Sequence, residues 1–157
     1  MTVEANIRLL QLSLPETPRP LGDYVPAVEA GNLLFVSGML PIEDGATSFV
    51  GRVGQELTIE SGRKAAQLAV TNALAVARDA VGLNRLARVV RLGVHVACGL
   101  DFREHAAIAD AASELLNHLF KGRHSRLAFG SSSLPGGMPV ELEVIFLLHP
   151  KESGVTP

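Results

Sequence analysis

The chain has 157 residues, a formal net charge of −2, 47% hydrophobic residues and 19% charged residues. This length fits one globular domain, the composition is too apolar for a disordered chain, and the charge does not favour binding to nucleic acid. The single cysteine, Cys98, excludes an intramolecular disulfide framework and multi-cysteine metal sites.

Residues 1–20 predict a short helix with a proline-rich lead-in. Val3, Ile7 and Leu10, or Ile7, Leu10 and Leu14, would share one side of the helix, and the prolines of LPETPRP would end it. The segment lacks the basic start and long apolar run of a signal peptide, and no stretch approaches the ~20 apolar residues of a membrane span. We therefore expect a soluble, cytoplasmic protein with no membrane partner.

Residues 21–150 are predicted to form one domain, which a short tail at 151–157 follows. Segments 25–30 and 33–37 predict strands that flank Gly31-Asn32, a hairpin-type turn pair, and residues 38–54 predict a loop. Thr58 is a good helix N-cap, and Gly82 ends the Ala-rich helix that follows it. The wide apolar stripe of this helix predicts close packing on a sheet.

The second half of the domain predicts three strands and one helix. Apolar alternation indicates a strand at 89–96, a helix at 102–120, a short strand at 126–130 and a long strand at 140–148. The order is β-β-α-β-α-β-β after the short helix. It predicts an α+β fold with a single sheet backed by two helices.

Charged residues on the last two strands are candidates for a small-anion site. Arg126 and Ala128 share one face of their strand, and Glu141 and Glu143 share a face of the final strand. An arginine facing a carboxylate can anchor an anion while the carboxylate positions water or exchanges a proton. A structural or surface salt bridge, or solvated charge on an open sheet face, is the alternative from the residues alone.

Four stretches together resemble the Rid family (RidA/YjgF-type, also called endoribonuclease L-PSP), in particular a subgroup with an N-terminal helix. They are LGDYVPAVEAGNLLFVSGMLP, GRKAAQLAVTNAL, ARVVRLGVHV and HSRLAFGSSSLPGGMPVELEVIF, and they cover nearly all of the chain after residue 20. The resemblance implies a fold like that of trimeric chorismate mutase. It also implies a homotrimer with clefts between subunits.

The family resemblance implies hydrolysis of reactive enamine or imine intermediates, such as 2-aminoacrylate, to 2-oxo acids and ammonia. It places the anchor for the substrate carboxylate at Arg126 and the residue that orients water at Glu141. Tyr24, Ser37 and Gly38 would line the cleft, and Ala128 would contribute its backbone where relatives often have cysteine. The implied partner is a small carboxylate-bearing metabolite, and neither a metal nor another cofactor is implied.

Three departures from the family pattern motivate an alternative function. Leu127 replaces a small hydroxyl residue, Met39 replaces a glutamine, and no asparagine near residues 108–113 matches the one that lines the cleft. The alternative is a non-catalytic trimer that binds a small carboxylate. An endoribonuclease, which only the family's other name suggests, is a third hypothesis that the acidic balance opposes.

The remaining reactive side chains are given structural roles, with one exception. Cys98 ends an apolar strand and is predicted to be a small buried hydrophobe rather than a nucleophile. The five histidines lack metal-ligand spacing. His124, two residues before Arg126, would line the edge of the same cleft or else be a solvated loop histidine.

Overall fold

Three helices and seven strands form the part of the chain, residues 2–151, that the computed structural model describes. In order they are α1 Val3–Leu9, β1 Ala27–Ala30, β2 Leu33–Met39, β3 Ile42–Glu43, β4 Ala46–Thr47, α2 Ile59–Val81, β5 Leu86–Ala97, α3 His105–Phe120, β6 Ser125–Ser131 and β7 Val140–Leu148. The predicted α+β class is confirmed, and the predicted elements occur in the predicted order. The tail from 152 onward lies outside the described residues.

One five-stranded sheet carries the fold, with strand order β1-β2-β7-β5-β6. Neighbouring strands are antiparallel except β5 and β6, which are parallel and joined through α3. Helices α2 and α3 pack on one face, which we call the helix face. Alternate residues of β7, including Val140, Leu142 and Val144, are fully buried there, whereas the intervening residues lie on the opposite, open face.

Helix α2 has the predicted boundaries and packing. The Thr58 hydroxyl accepts a hydrogen bond from the Ser61 amide, and Gly82 ends the helix with φ +84°. Its alanines lie against the sheet without solvent exposure at positions 65, 66, 69, 73 and 77. Between them, the buried Asn72 amide donates to the carbonyls of Leu40 and Ile42 and so fixes the chain just after β2.

The N-terminal helix α1 packs on the end of α3. Val3 and Ile7 are buried as predicted, whereas Leu10, which both predicted faces included, is the C-cap and nearly half exposed. The buried Asn6 amide donates to the Leu119 carbonyl over 2.6 Å. This bond satisfies a carbonyl in the last turn of α3, where helical partners run out.

Two predicted boundaries differ from those of the structure. Helix α3 begins at His105 rather than at 102, since Phe102 turns onto Gly54 and meets His105 edge-on at 5.1 Å. Strand β2 runs on to Met39, and the loop predicted at 38–54 contains the β3–β4 hairpin.

Within residues 2–151, no helix is both long and apolar enough to cross a membrane.

Candidate functional site

Glu141 lies on the open face, where β2 makes room for its side chain. Between the pairs Val36–Val144 and Met39–Leu142, β2 has two residues, Ser37 and Gly38, where β7 has one, which is a β-bulge. A Cβ built at Gly38 would overlap the Glu141 carboxylate and lie 3.1 Å from its Cδ. The backbone of Gly38 therefore forms the seat of this carboxylate, and a side chain at position 38 would force the flexible end of Glu141 to move.

Two other predicted cleft residues are tied to backbone groups near this seat. The Ser37 hydroxyl donates to the Val25 carbonyl over 2.7 Å, and the Tyr24 phenol accepts from the Leu21 amide over 3.1 Å. Tyr24 and Gly38 both line a shallow depression beneath the proline-rich segment. The structure thus brings together four predicted residues, which we call the glutamate half-site: Tyr24, Ser37, Gly38 and Glu141.

Arg126 lies on the helix face, where its guanidinium contacts α3. Its Nη1 donates to Asp110 Oδ1 over 2.7 Å and to Ser113 Oγ over 3.0 Å. The Arg126 side chain is 25% exposed and that of Asp110 51%, so this ion pair lies at the edge of the core. The sequence-based alternative of a salt bridge is therefore present, although its carboxylate lies on a helix and not on a neighbouring strand.

His124 is half-buried beside this pair and is not a solvated loop histidine. Its Nε2 lies 3.0 Å from Ser113 Oγ, and its buried Nδ1 has no hydrogen-bond partner among residues 2–151. Burial, and next the positive charge of Arg126, lower the pKa of His124 below its ordinary value of 6.5. The folded protein thus favours neutral imidazole at this position.

Ala128 follows Arg126 on the helix face and packs against the hydrophobic core. Its methyl side chain adds no polar group next to Arg126 on this face. The group on β6 and α3, which we call the arginine half-site, consists of Asp110, Ser113, His124, Arg126 and Ala128.

The two half-sites do not meet within one chain. Glu141 on β7 pairs with His95 on β5, and His95 pairs with Phe129 on β6. Arg126 is therefore two strands away from Glu141 and three residues before its row of the sheet. That separation is about 10 Å in each direction, with the side chains on opposite faces. The expectation that Arg126 and Glu141 face each other is therefore wrong for a single chain, because α3 covers the face that carries Arg126.

Asp110 and Ser113 are the residues of this site that sequence reasoning missed. They are three positions apart on α3 and therefore share one side of it. A polar pair on a helix predicted to pack against β6 was the available signal. What the sequence could not supply was the alignment of that helix turn with Arg126.

Cys98 matches its predicted structural role. It is 8% exposed, and burial raises the pKa of its thiol, against a smaller lowering effect of the hydrogen bond with the Ser131 backbone. Its Sγ lies 3.4 Å from His105 Nε2. Across residues 2–151, no group of three or more His, Cys, Asp or Glu side chains is placed to hold a metal ion.

Comparison with known proteins shows a family match over almost the whole chain. The family described as YjgF/chorismate mutase-like, a candidate endoribonuclease group, matches residues 4–148. The protein TCP17 of Trypanosoma cruzi is 36% identical over 151 residues, which are 94% of each chain. Both matches include the two half-sites.

A named enzyme and a solved structure are also similar. The 2-iminobutanoate/2-iminopropanoate deaminase of Dermatophagoides farinae is 29% identical over 88% of this chain and 95% of its own. A crystal structure of a candidate endoribonuclease from Shewanella oneidensis superposes with a TM-score of 0.90 at 31% identity. The superposition covers 94% of this chain and all of that one.

Proposed function

The chain belongs to the YjgF/chorismate mutase-like family, and from this premise we propose that it hydrolyses reactive enamine or imine intermediates of the 2-aminoacrylate kind. The products would be a 2-oxo acid and ammonia. The name of the relative from Dermatophagoides farinae supports this reaction class. The observation that carries the proposal is the guanidinium of Arg126, which is held at Nη1 and has no acceptor at its other two nitrogens among residues 2–151.

Arg126 is the proposed anchor for the substrate carboxylate. Its Nη1 is engaged by α3, whereas Nη2 and Nε donate to no acceptor within residues 2–151. Those two nitrogens form one edge of the planar guanidinium, and that edge matches the two oxygens of a carboxylate. Binding there would hold the imine carbon of the substrate at a defined position.

Glu141 is the proposed base for water. An imine carbon is already electrophilic, so hydrolysis needs a water molecule held beside it and a group to take its proton. Water oxygen adds to the imine carbon while Glu141 takes one water proton and passes it to the nitrogen, which gives a carbinolamine. Glu141 then takes the proton of the new hydroxyl and passes it to the nitrogen, the C–N bond breaks, and the 2-oxo acid and ammonia are released. The Gly38 seat holds the carboxylate in place for this transfer, and the sequence of steps requires no cofactor.

Because the half-sites are on opposite faces of one sheet, we propose that a cleft forms between copies of the chain, in a homotrimer. The open face supports this assembly, since Leu127 is 47% exposed and Phe129 41% exposed there. Val28, Phe35, Ile145 and Leu147 continue the same apolar surface. Apolar area of this kind is stabilised when another sheet covers it.

A second candidate is a trimer that binds a small carboxylate without turning it over. The cleft asparagine missing near residues 108–113 favours this alternative, because the same turn of α3 has Asp110 and Ser113, which bind Arg126 Nη1 and leave its Nε–Nη2 edge to a carboxylate. A tight complex with a 2-oxo acid together with no ammonia release from any imine would support the binding protein over the enzyme.

The test is ammonia release from 2-aminoacrylate generated by a coupled enzyme, with matched variants. Arg126→Ala should lower kcat/KM by about a hundredfold or more, because it removes a charged hydrogen-bonding anchor. Arg63→Ala is its control: Arg63 also pairs with a carboxylate on α3, Glu114, at 3.1 Å and with similar exposures of 29% and 56%.

Glu141→Gln should remove turnover while retaining carboxylate binding, because the amide cannot take a proton from water. Glu143→Gln is the matched control, since Glu143 lies on the same face and over another glycine, Gly93. If Arg126→Ala and Arg63→Ala have the same kcat/KM as the wild type, the anchor is not at Arg126 and the proposal fails.

A further inference from the structure

The Nη1 nitrogen of Arg126 is fully occupied in the folded chain. It has two hydrogens, and it has two acceptors, Asp110 and Ser113, at 2.7 and 3.0 Å. The two acceptors differ in exposure and charge. Asp110 is half-exposed and anionic, whereas Ser113 is 9% exposed and neutral.

Ser113 is shared between Arg126 and His124. Its hydroxyl accepts from Arg126 Nη1, and its one hydrogen is then available to His124 Nε2 at 3.0 Å. With the bonds in this direction, the imidazole has its proton on Nδ1. The three side chains form a single line of hydrogen bonds that runs from β6 through α3 and back to the residue before β6.

We propose that Ser113 and His124 are positioning residues that fix the rotation of the Arg126 guanidinium, so that its Nε–Nη2 edge is presented to a carboxylate ligand. This inference rests on the proposed function for the identity of the ligand. It goes beyond that function in assigning the orientation of the anchor to a neutral pair.

A neutral acceptor suits this task better than a carboxylate does. A second anion bound to Arg126 reduces the attraction for the ligand, whereas a hydroxyl holds the guanidinium and leaves its charge available. Burial keeps the Ser113 hydroxyl in one rotamer, and His124 prevents it from turning away. Asp110, with half of its side chain in solvent, can leave Arg126 at small cost.

The first experiment uses the free protein and no ligand. In nitrogen-15 NMR spectra of arginine side chains, a guanidinium held at Nη1 gives separate signals for its two Nη1 hydrogens, and rotation averages them. We expect separate signals for Arg126 in the wild type and in His124→Gln, whose amide can still accept from Ser113. Averaged signals are expected in Ser113→Ala and His124→Leu.

The second experiment measures binding of pyruvate, used as a 2-oxo acid probe, by calorimetry. Ser113→Ala and His124→Leu should weaken binding about tenfold, and His124→Gln by less than about threefold, as expected for loss of one hydrogen bond to a charged group. Thr71→Ala is the control, because it removes another buried hydroxyl that bonds only to the helix backbone. Circular dichroism would identify variants that fail to fold.

The outcomes separate the inference from the proposed function. Separate Arg126 signals in every variant would overturn the inference, whether or not pyruvate binds. Averaged signals in Ser113→Ala and His124→Leu would support positioning even if the wild type bound no pyruvate and released no ammonia. In that case the proposed function would fail and the inference would stand.

Discussion

The two half-sites present one functional group each, but they position it in different ways. Arg126 is oriented by other side chains, through a line of hydrogen bonds to Asp110, Ser113 and His124. Glu141 is oriented by the absence of a side chain, at Gly38 in the bulge of β2. The hydrogen bonds that orient Arg126 can be removed one at a time. At Gly38, by contrast, a single added methyl group would displace the Glu141 carboxylate.

Gly38→Ala should break the glutamate half-site, with the largest effect expected here. Its methyl group overlaps the Glu141 carboxylate, so the carboxylate must move, and kcat/KM for the imine should fall about a hundredfold. Gly122→Ala is the control, because a methyl there meets only the Phe120 carbonyl oxygen, at 3.8 Å. Wild-type rates of ammonia release by Gly38→Ala would show that the position of Glu141 does not matter.

Phe129→Asp tests whether the half-sites need a second copy. A carboxylate at this position should oppose burial of the open face between copies of the chain. The association of the copies should therefore weaken more than about tenfold. Light scattering and ammonia release should then fall together as the protein is diluted. Leu100→Asp is the control, since Leu100 is 98% exposed in the loop after β5. An active monomer would contradict a shared cleft.

Asp110→Asn should improve ligand binding at the arginine half-site rather than weaken it. Removing the exposed carboxylate leaves Arg126 with more free charge, so pyruvate should bind about threefold more tightly. Glu114→Gln, which alters the matched pair with Arg63, should leave the affinity unchanged. Weaker binding by Asp110→Asn would mean that Asp110, and not Ser113, orients the anchor.

The smallest expected effect concerns pH. Because the pKa of His124 is lowered in the folded state, the unfolded chain binds its proton more readily. Stability from this group is present above its ordinary pKa and is lost as the pH falls through the folded value. Urea midpoints at pH 7.5 and pH 5 should therefore differ less for His124→Gln than for the wild type. If the urea midpoint changed equally in the two proteins, the folded structure would not lower the pKa of His124.

Sequence patterns predicted the elements well where local rules decide the structure. Helix α2 begins after its Thr58 cap and ends at Gly82, and the alternation along β7 assigned Glu141 and the core residues to opposite faces. The same alternation placed Arg126 and Ala128 together on one face of β6. It could not indicate that α3 covers this face, because coverage depends on how helix and sheet pack.

The bulge at Ser37 and Gly38 was beyond sequence reasoning for the same reason. A bulge exists only relative to a partner strand, and the partner, β7, lies about a hundred residues further along the chain. The resemblance to known relatives did include Gly38 among the cleft residues. The physical need for glycine there became clear only from the position of the Glu141 carboxylate.

The bond between Asn6 and the Leu119 carbonyl connects the first turns of the chain to the helix that holds Arg126. Helix ends fray, and opening that begins at Leu119 can travel along α3 toward Ser113. Asn6 donates a hydrogen bond to the carbonyl at which such opening would begin. We therefore expect the N-terminal helix to protect the last turn of α3 against opening, and amide hydrogen exchange in that turn measures this protection.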